Sequence, residues 1–341
     1  MAKEVEQAVD LSDDGVVLLL QVPRTNEQKE LAAEQMFASL HGLLTLPTAG
    51  LLKPVKRERV SFEIAVLKKR IGFYVWVPQY LKSFVEEQIY AQYPTVHISE
   101  IPDYTVNDEQ EFTTVLSCEL KLINHDALPI KTFQSFEVDP LAAITAALAK
   151  FEDDEEAWIQ LVIRPASHNW HKRSERYIAN LKGKSMSSGA VLAALWGSEH
   201  KPEAAKLTEY EQTRASGAEE KSQKLAFETA LRVVYRGNLP AQQAKLRLQS
   251  IIASYKQFNT TYLNGFDQKR VATDPYLEAL YRAREYNKSG FMTNIEEVAT
   301  LYHLPHTNVE TPYILWATAQ TAEPPRGIIV TLCTKSLSGN T

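Results

Sequence analysis

Val60-Ser61-Phe62-Glu63-Ile64-Ala65-Val66-Leu67-Lys68-Lys69-Arg70-Ile71-Gly72-Phe73-Tyr74-Val75-Trp76-Val77 decides the fold. Two runs rich in β-branched and aromatic residues, Val60 to Leu67 and Ile71 to Val77, flank the short charged turn Lys68 to Arg70 and read as a hairpin. Upstream, Val16 to Val22 is a continuous apolar run ended by Pro23, which predicts a buried strand. Between them, Glu27 to Leu44 carries Ala33, Met36, Phe37, Leu40, Leu43 and Leu44 at helical spacing. Downstream, Leu81, Phe84, Val85 and Ile89 define the inner stripe of a second helix that ends before Pro94, and Val96 to Ile101 closes the unit as a strand. This βαββαβ order is that of a ferredoxin-like sandwich, a four-stranded sheet with both helices on one face.

The same order recurs in stretched form. Phe112 to Ile123 reads as a strand, and Asp139-Pro140 opens a helix carrying Leu141, Ile144, Leu148 and Phe151. Ala157 to Ile163 is the next strand, but its partner, Leu225 to Tyr235, comes only after a long interruption. A helix over Ala241 to Phe258 follows, and Thr260 to Phe266 is the closing strand. The predicted fold class is therefore α+β: two ferredoxin-like units, residues 1–104 and 105–292, the second opened by a helical and charged insertion at about 167–224. Surface connections tolerate such insertions because closure entropy grows only logarithmically with length. Residues 293–341 read as a linker-like tail.

Composition agrees with two folded units. A chain of 341 residues exceeds the size at which one core usually keeps growing. Hydrophobic content of 44% and charged content of 23% exclude wholesale disorder. A net charge of -5 gives no general attraction to nucleic acid or anionic lipid, although local patches can. Cys118 and Cys333 have no metal or redox spacing, consistent with a reducing, cytoplasmic setting. The acidic, polar start shows no signal peptide, and no apolar run of eighteen residues spans a bilayer, so a soluble chain is expected.

Candidate chemistry is sparse. Gly183-Lys184-Ser185 is the tail of a phosphate-binding loop signature, but the position five residues before Gly183 is Ile178, where the motif needs glycine. His168/His171 and His303/His306 have metal-ligand spacing but no third and fourth donor in sequence, so packed or surface histidines are the expectation. Tyr74 and Trp76 share one sheet face by alternation, with Lys68, Lys69 and Arg70 at the hairpin tip. Either that face packs against another layer, such as the second unit, or its rings stack single-stranded nucleic acid. Met186 to Trp196, with Val191, Leu192, Leu195 and Trp196, is too short to cross a membrane; it either docks on a partner or tucks against its own domain. No catalytic constellation emerges, and neither an enzyme nor a bound cofactor is expected.

Several strings resemble the region that precedes the motor in type IV secretion or conjugative DNA-transfer ATPases, of the kind common in small-genome uncultured bacteria. They include Ala32 to Gly42, Val60 to Ile64, Phe73 to Pro78, Gln88 to Pro94, Gln160 to Pro165, Lys256 to Thr261, Leu263 to Phe266 and Leu301 to Pro305. Ile295 to Pro325 resembles the approach to such an ATPase core, yet only sixteen residues follow Pro325, and they contain no phosphate-binding loop. The resemblance implies a non-catalytic accessory or scaffold domain, positioned at the inner face of the cell membrane. It implies partners among secretion or conjugation ATPases and membrane-complex subunits, with DNA and self-assembly as further options. It carries no catalytic residue, and in the family pattern membrane-spanning segments precede the region.

Overall fold

The hairpin forms where its pattern requires. In the computed structural model, which describes residues 15–45, 58–106, 110–167, 169–185, 207–268, 271, 273, 275–287 and 290–318, β2 (Val60–Leu67) pairs antiparallel with β3 (Arg70–Pro78). Its two-residue turn holds Lys68 and Lys69 at φ 48° and 61°, the left-handed pair whose twist suits a tight hairpin. β1 (Gly15–Gln21) lies antiparallel between β3 and β4 (His97–Ile101). Two helices, α1 (Glu30–Leu44) and α2 (Lys82–Gln92), bury Ala33, Phe37, Leu40, Val85 and Ile89 in one core with Leu18, Phe62, Ile64, Phe73 and Val75. Phe84 is a correction: it is half exposed, because the inward stripe of α2 runs through Leu81, Val85 and Ile89 and leaves Phe84 about 100° away around the helix.

The second half contains β5 (Thr114–Leu122), α3 (Pro140–Leu148) and β6 (Glu155–Pro165). The inserted helices α4 (Trp170–Ser185) and α5 (Glu209–Ser222) come next, then β7 (Ala226–Gly237), α6 (Ala241–Ser254) and the short β8 (Phe266–Gln268). β8 starts where Thr260 to Phe266 was expected to end. Asn264 explains the shift: its Oδ1 accepts from Asn124 N–H, and its Nδ2 donates to the carbonyls of His125 and Leu128, which fixes the preceding stretch as a loop.

What the strand pattern did not reveal is how the halves meet. β2 pairs antiparallel with β6, Phe62 opposite Leu161 and Glu63 opposite Gln160. In this α+β fold the main path of one antiparallel sheet therefore runs β4-β1-β3-β2-β6-β7-β5-β8. Beyond α7 (Pro275–Arg282), β9 (Phe291–Asn294) adds to the part of β7 that β5 leaves open. One continuous core contains Phe37 and Phe62 from the first half together with Ile144, Leu231 and Leu248 from the second. A boundary near residue 104 thus does not separate two stacked bodies, because the sheet and its core pass through it.

The expected tail is also built in. The four residues of β9 are buried, and α8 (Ile295–Leu301) packs along α1. Leu304, Val309 and Ile314 are buried as well. Ile71 N–H donates to Tyr313 O, Leu315 N–H to Ile71 O, and Ala317 N–H to Val22 O, each at 2.9 Å. Residues 293–318 are not a linker, because their apolar side chains and backbone groups are used by the body of the domain. The inserted segment is likewise more ordered than its charge suggests. Thr208 and Glu211 form a reciprocal capping box at the start of α5, and Ala215, Ala218 and Lys221 are buried.

Candidate functional site

Tyr74 and Trp76 point to the face opposite the main helices, as alternation demands, but that face is covered. They are only 3% and 5% exposed, packed with Val17, Ala65, Trp158 and Val234 beneath Tyr104 and Tyr281. The cover is α7, which belongs to residues 105–292, together with the turn Tyr104–Val106, so the face packs against another layer and bases have no access to these rings. Burial of five large aromatic rings removes far more apolar surface from water than an open platform would.

Polar groups fasten the cover. Glu63, on β2 and fully buried, accepts from Ser61 Oγ at 2.7 Å, Tyr104 Oη at 2.7 Å, Gln160 Nε2 at 3.0 Å and Arg284 Nε at 3.1 Å. Arg284 also pairs with Asp103, while Arg59 Nε donates to Arg284 O at 2.8 Å and its guanidinium lies 5.3 Å over the Trp76 ring. Burial opposes the charge on Arg284, but Glu63 and Asp103 outweigh it and hold the guanidinium strongly protonated. Burial likewise pushes the Tyr104 and Tyr281 hydroxyls well above their ordinary range, so both stay protonated. Together these bonds hold two layers of the domain against each other.

The hairpin tip is divided in its use. Lys68 and Arg70 are exposed, whereas Lys69 Nζ lies 2.7 Å from Glu152 Oε2 and 5.3 Å from the centre of the Tyr313 ring. Gly183, Lys184 and Ser185 are the last residues of α4, and Ile178 lies inside that helix, so the backbone around them is helical where a phosphate loop would need a wrap. His171 is exposed beside Trp170, their ring centres 4.6 Å apart. His168 and the whole stretch with Val191, Leu192, Leu195 and Trp196 lie outside the described residues.

The second histidine pair is where structure adds most. His303 and His306 follow α8, and both converge on Asp139, the N-cap of α3. Asp139 Oδ1 accepts from Leu141 N–H at 2.7 Å and lies 2.9 Å from His303 Nε2; its Oδ2 lies 3.0 Å from His306 Nε2. His303 Nδ1 is 2.9 Å from Ala299 O. Oxygen atoms at both ring nitrogens favour the doubly protonated form of His303. Burial opposes that charge, and the Asp139 carboxylate overrides it, raising the His303 value above the ordinary 6.5. For Asp139, burial favours the neutral acid, but His303 prevails and holds the carboxyl well below 3.8. Sequence reasoning missed the cluster because Asp139 and His303 are 164 residues apart and nothing local links a helix cap to a distant pair.

A pH dependence follows for the metal-free chain. The raised His303 contributes stability that is full below about pH 6.5 and is lost as pH rises through its folded value. The depressed Asp139 contributes stability that is full above about pH 4 and is lost as pH falls through its folded value. His303→Gln is therefore expected to flatten the alkaline decline of Tm against pH. A curve of unchanged shape would remove the charge assignment.

Among the described residues no helix is long and apolar enough to cross a membrane. No curated protein matches the chain. Residues 2–317, which span both halves, the cover and the segment after α8, match the family described as "Domain of unknown function (DUF8128)", and the chain belongs to that family.

Proposed function

We propose that this domain is a non-catalytic platform that positions a type IV secretion or conjugative DNA-transfer ATPase at the cytoplasmic membrane face, and that each half is a ferredoxin-like unit. The unit reading is supported by the sheet order β4-β1-β3-β2 and its counterpart β8-β5-β7-β6, each following βαββαβ chain order. The functional reading rests on the sequence resemblance and on one structural observation. The segment after α8, which resembles the approach to a motor, is stitched to the first half at Ile71 and Val22. Its described residues, as far as Ala317, therefore have a fixed place on a broad sheet, and an ATPase engaging them would inherit that place.

The test is co-elution of the full chain with the ATPase core of a type IV secretion apparatus from the same genome. A stable complex is expected, and Ile314→Asp, which loosens the segment while leaving the strand pairings intact, should abolish it. The chain alone is expected not to hydrolyse ATP. Failure of the wild-type chain to bind, or ATP turnover that disappears on Lys184→Ala, would sink the reading.

A further inference from the structure

The groups around Asp139 leave one oxygen without a matched donor. Oδ1 is engaged by Leu141 N–H and by His303. Oδ2 is buried and makes no hydrogen bond, although His306 Nε2 is only 3.0 Å away, so proximity and donor alignment disagree there. A third group faces the same spot: one donor atom each from Glu30, Asp139 and His306 lie within 4.8 Å of one another. These residues come from the first turn of α1, the cap of α3 and the loop after α8, three elements with no local sequence relation.

We propose that Glu30, Asp139 and His306 bind one divalent transition-metal cation of the zinc class. An imidazole nitrogen with two carboxylate oxygens suits zinc and its neighbours, and bonds of about 2.0–2.2 Å place tetrahedral donors about 3.3 Å apart. The present spread closes by rotation of Glu30, whose side chain is partly exposed and forms the entry edge. His303 stands behind the site rather than in it: it spans from Ala299 O to Asp139 Oδ1 and so fixes the carboxylate that presents Oδ2. His306 Nδ1 now faces Asn308 N–H at 3.3 Å, a long contact. Ligation through Nε2 moves the ring proton to Nδ1 and gives that contact up, leaving the imidazole neutral. The cation joins α1 of the first half, α3 of the second and the segment after α8 at one point, with a coordination position left for water.

The full chain, stripped with chelator and titrated with Zn2+ in a calorimeter, is expected to take up one equivalent and to show a Tm that rises with free Zn2+. Glu30→Gln changes only a partly exposed residue and should weaken binding at least tenfold while leaving the circular dichroism spectrum unchanged. Co2+ should give a visible absorption band that His306→Gln removes and His171→Gln, at an exposed position of α4, does not. No heat and no Tm shift with either metal, or equal affinity in Glu30→Gln and wild type, would overturn the proposal. So would uptake abolished by His171→Gln, which would place the ion on the surface.

Discussion

Arg284→Met is expected to destabilise the chain by about 3–5 kcal/mol, the cost of leaving a buried carboxylate without its counter-charge. Glu63 is fully buried at the centre of the sheet, and its remaining partners, Ser61, Tyr104 and Gln160, are neutral. The same substitution frees Asp103, so the turn that carries Tyr104 loses its hold on α7. Urea unfolding should show the loss, and fluorescence of Trp76 and Trp158, both roofed by this layer, should shift toward that of hydrated indole. Adding Glu63→Gln removes the stranded charge, so the double variant should be more stable than the sum of the singles predicts. A loss below about 1 kcal/mol would mean that the ion pair does not hold the cover.

Glu297→Ala should cost a similar amount, about 3–5 kcal/mol, for a different set of reasons. Glu297 and Lys221 form an ion pair at 3.0 Å with neither side chain exposed. Glu297 also accepts from Ile130 N–H and closes the capping box of α8 with Asn294, so its removal strands a buried ammonium and two backbone donors. Lys221 keeps the carbonyls of Met292 and Leu128, which neutralise no charge. Because Lys221 is the deepest polar anchor of α5, limited trypsin digestion should cut near Arg214 much earlier in the variant than in wild type. Glu297→Gln retains acceptors for the backbone and should recover about 1 kcal/mol, the share of a cap. Digestion at an unchanged rate would show that α5 is held by its small apolar contacts alone.

Both predictions concern charges whose partners lie far apart in the chain, and here sequence reading stopped. Glu63 is buried only because its pairing with Gln160 requires β2 to meet β6 edge to edge, which no local pattern announces. Arg284, more than two hundred positions after Glu63, closes the layer that hides Tyr74 and Trp76. Lys221 belonged to a charge-rich insert that reads as solvated, because composition cannot distinguish a buried ammonium from an exposed one. Val191, Leu192, Leu195 and Trp196 lie beyond what the structure describes.

Short-range patterning determined most of the strands, the hairpin at Lys68-Lys69 and most of the helices, but not β9 or the start of β8. Period-two and period-3.6 spacing are properties of neighbours in the chain, and the side chains that create them are read directly. Tertiary structure alone decided that the two halves share one sheet, that the aromatic face is roofed, that the segment after α8 is anchored, and that Glu30, Asp139 and His306 converge. Each of these depends on contacts between residues far apart in the chain, as far as Gln21 and Trp316, 295 positions apart, which local periodicity cannot encode.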